Sequence, residues 1–313
     1  MATDGVLGDA LAPEARDALA RRLVEGGHGE MVQYGVSVQG RPLLAGRLPG
    51  PRPDAPRLLL AANIHGVEFV GARAALRFLQ DAVEARGGAG QMRAHAELWV
   101  APCLNPDGYA RTFAQGGVGT LKELRTNAHG VDLNRNFPRP DGGPPSRLPF
   151  TGSSNPAAAT FRGTAPLSEP ETAALDALLA AQRFHAVVSL HSFMGSVIPA
   201  RVTDAPSYAA YGRLFRAFTA AQTRWRFRRM QSRVVDAFTG ELEDHVHHVH
   251  HGWATCVELF TLSQSARQHL RAPSVFWRFN PRDLDAILDH DTPAVAAWLR
   301  AALDEPRPGP AVA

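Results

Sequence analysis

The chain has 313 residues, 45% hydrophobic and 20% charged, which is ordinary for a soluble globular protein with a full core. Its formal net charge is +3, but Lys and Arg are scattered and no basic run is interleaved with aromatics, so nucleic acid is not an expected partner. No run approaches the roughly 18 apolar residues of a membrane span, and the first residues lack a basic segment followed by an apolar one. A cytoplasmic protein without a membrane partner is expected; the sequence does not fix its oligomeric state.

Pro13 opens a helix over 13–25 that Gly26-Gly27 stops. Residues 31–38 and 43–48 flank Gln39-Gly40-Arg41-Pro42 as a hairpin, and a Pro-rich connection covers 49–56. The run Leu58-Leu59-Leu60-Ala61-Ala62 predicts a buried strand, followed by a loop with His65 and by helical spacing of apolar residues over 67–84. A Gly-rich break at 85–90 precedes a strand over 97–101. From Asn105 to about Gly163 the chain is rich in Gly, Pro, Asn and Arg without a period, the mark of a long loop that is functional or disordered.

Ser168 and Glu171 have the spacing of a capping box, opening a helix to about 181. A strand over 184–190 ends at His191. The helix over 205–221 carries an aromatic stripe (Tyr208, Tyr211, Phe215, Phe218) suited to core packing. A strand over 253–260, a helix over 292–303 and a fraying Pro-rich tail complete the chain. Cys103 and Cys256 sit in apolar runs without a metal-binding spacing and read as buried free thiols. Strands alternating with helices predict an α/β fold with a parallel or mixed sheet, in one domain.

In such folds, sites gather at the carboxyl ends of strands. His65, Glu68, Asn105, His191 and Glu258 all lie near a predicted strand end. His65 and Glu68, in Asn63-Ile64-His65-Gly66-Val67-Glu68, are spaced to converge on one ion, and His191 completes a two-histidine, one-carboxylate set. A catalytic zinc takes three such ligands and keeps a position for water. Glu258, inside the apolar run Ala254-Thr255-Cys256-Val257-Glu258-Leu259-Phe260, is costly there unless paired or working, and is the candidate base. The segment from Arg125 to Pro138 offers two arginines and several amides for an anionic substrate and an oxyanion, since guanidinium grips carboxylate with two hydrogen bonds. Asp132 could hold the outer N–H of a ligating histidine.

Gly130-Val131-Asp132-Leu133-Asn134-Arg135-Asn136-Phe137 resembles the signature of the zinc metallocarboxypeptidase family, to which carboxypeptidase A belongs. Asn63–Glu68, Ser189-Leu190-His191-Ser192 and Val257-Glu258-Leu259 resemble its first metal motif, the strand end of its third ligand and its catalytic-glutamate strand, in the family's order. Gly40-Arg41-Pro42-Leu43-Leu44, Asn105-Pro106-Asp107-Gly108, the Arg125–Pro138 segment and the stretch from Gly163 to Thr172 bring the chain closer to the bacterial murein peptide amidases of that family. Together the matches span about 35–262.

The resemblance implies a mixed, mostly eight-stranded sheet between helices and one zinc per chain, held by His65, Glu68 and His191. It makes Arg125 the group that polarises the scissile carbonyl, Asn134 and Arg135 the binders of the substrate's terminal carboxylate, and Glu258 the general base and acid. The implied organisation is an N-terminal helical extension (1–30), a zinc carboxypeptidase-like catalytic domain (31–304) and a flexible tail (305–313).

The implied reaction is hydrolysis of an amide next to a free carboxylate in a small peptide, a γ-D-glutamyl–diaminopimelate bond being the leading substrate. The alternatives are a deacylase of N-acyl amino acids, resembling aspartoacylase or succinylglutamate desuccinylase, and a non-catalytic zinc-binding homologue. The long match around Ser168–Thr172 argues against the deacylase. One departure from the pattern stands out: carboxypeptidase A-like members carry a mobile tyrosine about twenty residues before the catalytic glutamate, whereas 234–252 here has none and Phe238 is the nearest aromatic.

Glu241, Glu243 and Asp244 suit either a substrate amino group or a solvated turn. His245, His247, His248, His250 and His251 suit either a second metal or a surface helix or loop.

Overall fold

A computed structural model describes residues 7–139, 151–233, 239–260, 270, 272 and 274–309. Its strands are β1 (Glu30–Val36), β2 (Pro42–Leu48), β3 (Arg57–Ala62), β4 (Glu97–Ala101), β5 (Ala186–Ser192), β6 (Ser196–Pro199), β7 (Arg228–Arg229) and β8 (Trp253–Leu259). They form one eight-stranded mixed sheet in the order β1-β2-β4-β3-β5-β8-β6-β7. The middle, β4-β3-β5-β8, is parallel, and antiparallel pairs join β1 to β2, β2 to β4 and β6 to β8.

The described helices are α1 (Pro13–Gly26), α2 (Phe69–Val83), α3 (Gly87–Met92), α4 (Pro106–Ala114), α5 (Leu121–Arg125), α6 (Pro170–Gln182), α7 (Ala205–Ala220), α8 (Leu242–His248), α9 (Phe276–Phe279) and α10 (Leu284–Ala302). No described helix is long and apolar enough to cross a membrane.

The central strands are continuous apolar runs because both sheet faces are covered. Side chains alternate along a strand, and β3 divides accordingly. Leu58, Leu60 and Ala62 pack into a core with α2, α7, α10 and Val24 of α1, while Leu59 and Ala61 pack into a second core with Leu175 and Leu179 of α6 and Leu242 and Val246 of α8. A sheet pinned on two sides holds its strand ends rigidly, and the polar residues discussed below sit at those ends.

Several expectations are corrected. The stretch from Asn105 contains two helices, α4 and α5, since Asn105 caps the first through Gly108 N–H at 2.8 Å and Thr120 forms a capping box with Glu123 on the second. The Gly-rich break holds the short helix α3. Ser168 and Glu171 do not make a capping box. Helix α6 starts at Pro170, and Glu171 instead accepts Val38 N–H at 3.2 Å and the Asn127 side chain at 3.2 Å.

The last helix begins at Leu284 under an Asp283 cap and runs through Pro293, because burial of Ile287, Leu288, Val295, Trp298 and Leu299 outweighs one missing N–H. The described part of the tail, to Gly309, is tied to the body of the fold. Glu305 pairs with Arg213 at 2.5 Å, and Trp253 Nε1–H donates to Pro306 O at 3.0 Å. Cys103 and Cys256 are buried and free.

Candidate metal centre and active-site cleft

β3 ends at Ala62, and Asn63, at φ 57°, turns the chain into the loop before α2. Asn63 Nδ2–H donates to His65 O at 2.7 Å, and Asn105 Nδ2–H donates to Ile64 O at 3.2 Å. Gly66 passes so close to α4 that a Cβ would stand 2.5 Å from Gly108 C, so only glycine fits. Glu68 ends this loop as the residue before α2.

These contacts aim His65 Nδ1 at Glu68 Oε1, 2.9 Å away. His191, at the end of β5, brings its Nδ1 to 3.2 Å from His65 Nδ1 and 3.3 Å from Glu68 Oε2. The three predicted ligands thus converge. His65 Nε2–H is bound by Asp132 Oδ1 at 3.0 Å, and His191 Nε2 faces Ser189 Oγ at 3.0 Å, which turns both Nδ1 lone pairs inward.

Two imidazole nitrogens and a carboxylate are a donor set suited to catalytic zinc. Glu68 Oε2 is buried without a hydrogen-bond partner, a vacancy in its bonding that a cation would fill. The residues fit zinc. Burial alone would push Glu68 up, but His65 and His191 outweigh it and hold the carboxyl at about 2. Burial drives His191 down, toward the neutral form that ligates.

Register puts Glu258 beside the metal ligands: His191 and Glu258 are partners across parallel β5 and β8. The Glu258 carboxyl lacks a hydrogen-bond partner at its enclosed Oε2. Burial, reinforced by the charge of Glu68, pushes it up to about 8. Arg125 reaches the same cleft from the end of α5. Its Nε–H donates to Asp132 Oδ2 at 2.8 Å, and its Nη1 lies 4.0 Å from Glu68.

Asn134 and Arg135 line the cleft from the next turn, with Asn134 Oδ1 accepting Leu242 N–H at 2.9 Å and Arg135 3.6 Å from Glu241. All seven predicted site residues therefore border one cleft of about 660 Å³. Sequence reasoning missed that Cys256, two residues before Glu258 on the same face of β8, lines it too. Burial raises this thiol well above its ordinary value, which favours the uncharged form. Phe193, Met194, Ile198 and Phe279 supply apolar wall that no motif announces.

The acidic run is not a solvated turn. Glu241 lines the cleft, Asp244 accepts Arg201 N–H at 2.7 Å, and Glu243 is buried. Burial pushes Glu243 up to about 7. The histidine tract is not a surface helix either: His245 and His247 are buried in α8, and His247 Nδ1 bonds Tyr211 Oη at 2.9 Å. Phe238, the nearest aromatic to the family's tyrosine position, lies outside the described residues.

The remaining motifs build scaffold. Asp107 binds Ser37 Oγ–H at 2.8 Å and Arg41 at 2.7 Å, fastening the hairpin turn to α4. Thr172 Oγ1–H donates to Asn136 Oδ1 at 2.6 Å, and Glu169 takes Asn127 and His129, each at 2.7 Å, which pins the Arg125–Pro138 loop to α6.

A family model described as zinc carboxypeptidase matches residues 27–266, and the chain belongs to that family. Among its relatives, carboxypeptidase A5 of Macaca fascicularis is 29% identical over 170 residues, 52% of this chain and 37% of that protein. The chain thus matches well under half the length of that relative. The structure of carboxypeptidase A from Helicoverpa armigera superposes with a TM-score of 0.73 over 94% of this chain and 74% of its own, at 20% identity, which shows the shared fold. A murein-tripeptide amidase from Escherichia coli O157 aligns over 81% of this chain and 93% of its own at 25% identity; its TM-score of 0.48 is too low to bear on substrate.

Proposed function

We propose that this protein hydrolyses the amide bond preceding a terminal residue with a free carboxylate, and that its substrate is a murein-type peptide cut between γ-D-glutamate and diaminopimelate. One observation carries the reaction: His65, Glu68 and His191 meet in a single cleft with Glu258, Arg125 and Arg135. His65, Glu68 and His191 would hold zinc. When bound, zinc supplies Lewis-acid polarisation of a carbonyl and brings the pKa of a water toward neutrality.

Glu258, set beside His191 across the parallel strands and facing the cleft, takes the proton of the attacking water and hands it to the leaving amine. Arg125, fixed by Asp132, offers its remaining N–H groups to the oxygen that gains charge. Arg135 and Asn134 orient the terminal carboxylate, so the bond cut is the one adjoining it. Glu241 on the wall, with Glu243 behind it in the same helical turn, favours a terminal residue whose side chain carries an ammonium, as diaminopimelate does.

The test of the base is Glu258→Gln. The variant should bind zinc as the wild type does while turnover falls by about 10²–10⁴-fold. Turnover within a factor of a few of wild type would refute the assignment.

A further inference from the structure

Opposite the cleft end of α8, three further donor atoms converge. Asp176 Oδ1, from α6, is 2.6 Å from His245 Nε2 and 2.8 Å from His250 Nε2, and the two Nε2 atoms are 3.3 Å apart. His245 lies in α8 and His250 in the turn after it. The rings meet edge to face, with centroids 4.9 Å apart.

We propose that Asp176, His245 and His250 form a second metal site, for zinc or a similar divalent transition-metal ion, with a structural role. The ligands of a tetrahedral zinc at about 2.0–2.1 Å stand about 3.3 Å from one another, which is the separation of the two Nε2 atoms. The triangle at the cleft gives an internal standard: its nitrogens are 3.2 Å apart and its nitrogen–oxygen edges are 2.9 and 3.3 Å. The second triangle has almost the same nitrogen edge. Its oxygen edges are shorter by a few tenths of an ångström, and a small rotation of the Asp176 carboxylate, 31% exposed, would open them.

Two N–H groups converging on one carboxylate oxygen would be the metal-free alternative. His245 has a 2% exposed side chain and His250 an 11% exposed one, so the site is enclosed except beside Asp176, where water could complete the coordination.

The site clasps α8 to α6 one turn from the cleft. Glu241, the residue before α8, lines the cleft, and Leu242, its first residue, holds Asn134. An ion there would therefore fix the wall against which the substrate lies. This inference is independent of the proposed reaction, because its readout is metal content.

The experiment is to strip untagged protein with chelator, dialyse it against zinc and count bound metal by mass spectrometry. Wild type should hold two equivalents. Glu68→Ala should hold one, and that equivalent should raise its melting temperature. Asp176→Asn and His250→Gln should each hold one, with the cleft zinc retained. His250→Gln, at the more exposed ligand, guards against a misfolded Asp176→Asn. One equivalent in wild type with none in Glu68→Ala would overturn the proposal. So would an equivalent in Glu68→Ala that survives addition of either second substitution, since zinc would then lie elsewhere in the histidine tract.

Discussion

Asp132 touches two of the groups that the proposed reaction needs, accepting His65 Nε2–H with one oxygen and Arg125 Nε–H with the other. Burial works against its charge, but Arg125 and His65 hold it well below the carboxylate range. Asp132→Asn keeps the shape and loses the charge. It should lower zinc affinity by about 10–100-fold, read by competition with a chromogenic chelator, and reduce turnover through a misplaced Arg125. Unchanged affinity would mean that His65 is oriented by the Asn63 and Asn105 contacts alone. The proposed grip on the substrate's carboxylate rests on Arg135. Arg135→Lys keeps the charge and loses the planar fork, so KM should rise at least tenfold with little loss of kcat or bound zinc. An unchanged KM would place the terminal carboxylate elsewhere.

Among the elements, the parallel strands carry the site and the hairpin edge holds them in register. Glu97, at the start of β4, accepts Arg57 Nε–H at 3.0 Å and Trp99 Nε1–H at 2.7 Å on one oxygen and Arg47 at 2.8 Å on the other, tying β2, β3 and β4 together. Burial pushes this carboxyl up, but the hydrogen bonds from Arg47 and Trp99 outweigh it and leave the pKa below its ordinary value. A depressed carboxylate contributes stability above its unfolded pKa of about 4.3 and loses it as pH falls through the folded value. Glu97→Gln should therefore destabilise the protein by about 1–3 kcal/mol at pH 7. The deficit, followed by thermal melting, should shrink steadily below about pH 4. A deficit independent of pH would mean that packing, not charge, is what the substitution removes.

Strands such as Arg57–Ala62 were legible because burial on both faces writes an unbroken apolar run. The short strands β6 and β7 were not, being four and two residues long and lacking a period to detect. Helices α4 and α5 hid in a polar stretch because they are only nine and five residues long, too short for a period to stand out from the Gly, Asn and Arg around them.

At the scale of the whole molecule, the sheet gathers residues far apart in sequence, and this determines what could be read in advance. His65 and Glu68, in the loop after β3, and His191 and Glu258, near the ends of β5 and β8, were visible because the fold class already places sites at strand ends. Cys256, Phe193 and Phe279 were not, because an apolar cleft wall has the same composition as core. The burial of the acidic run and the histidine tract was equally hidden. It follows from α8 packing against α6 and β8, a tertiary fact that charge density in the sequence argues against.

Reaction and substrate are decided together by hydrolysis of L-Ala-γ-D-Glu-meso-diaminopimelate by zinc-loaded protein, beside ordinary peptides ending in apolar, acidic and basic residues. Release of diaminopimelate is expected, abolished by chelator and by Glu258→Gln, with basic-ended peptides the next best substrates. Cleavage confined to peptides with apolar ends would contradict the substrate and the role given to Glu241, and no cleavage of any peptide by zinc-loaded protein would contradict the reaction itself.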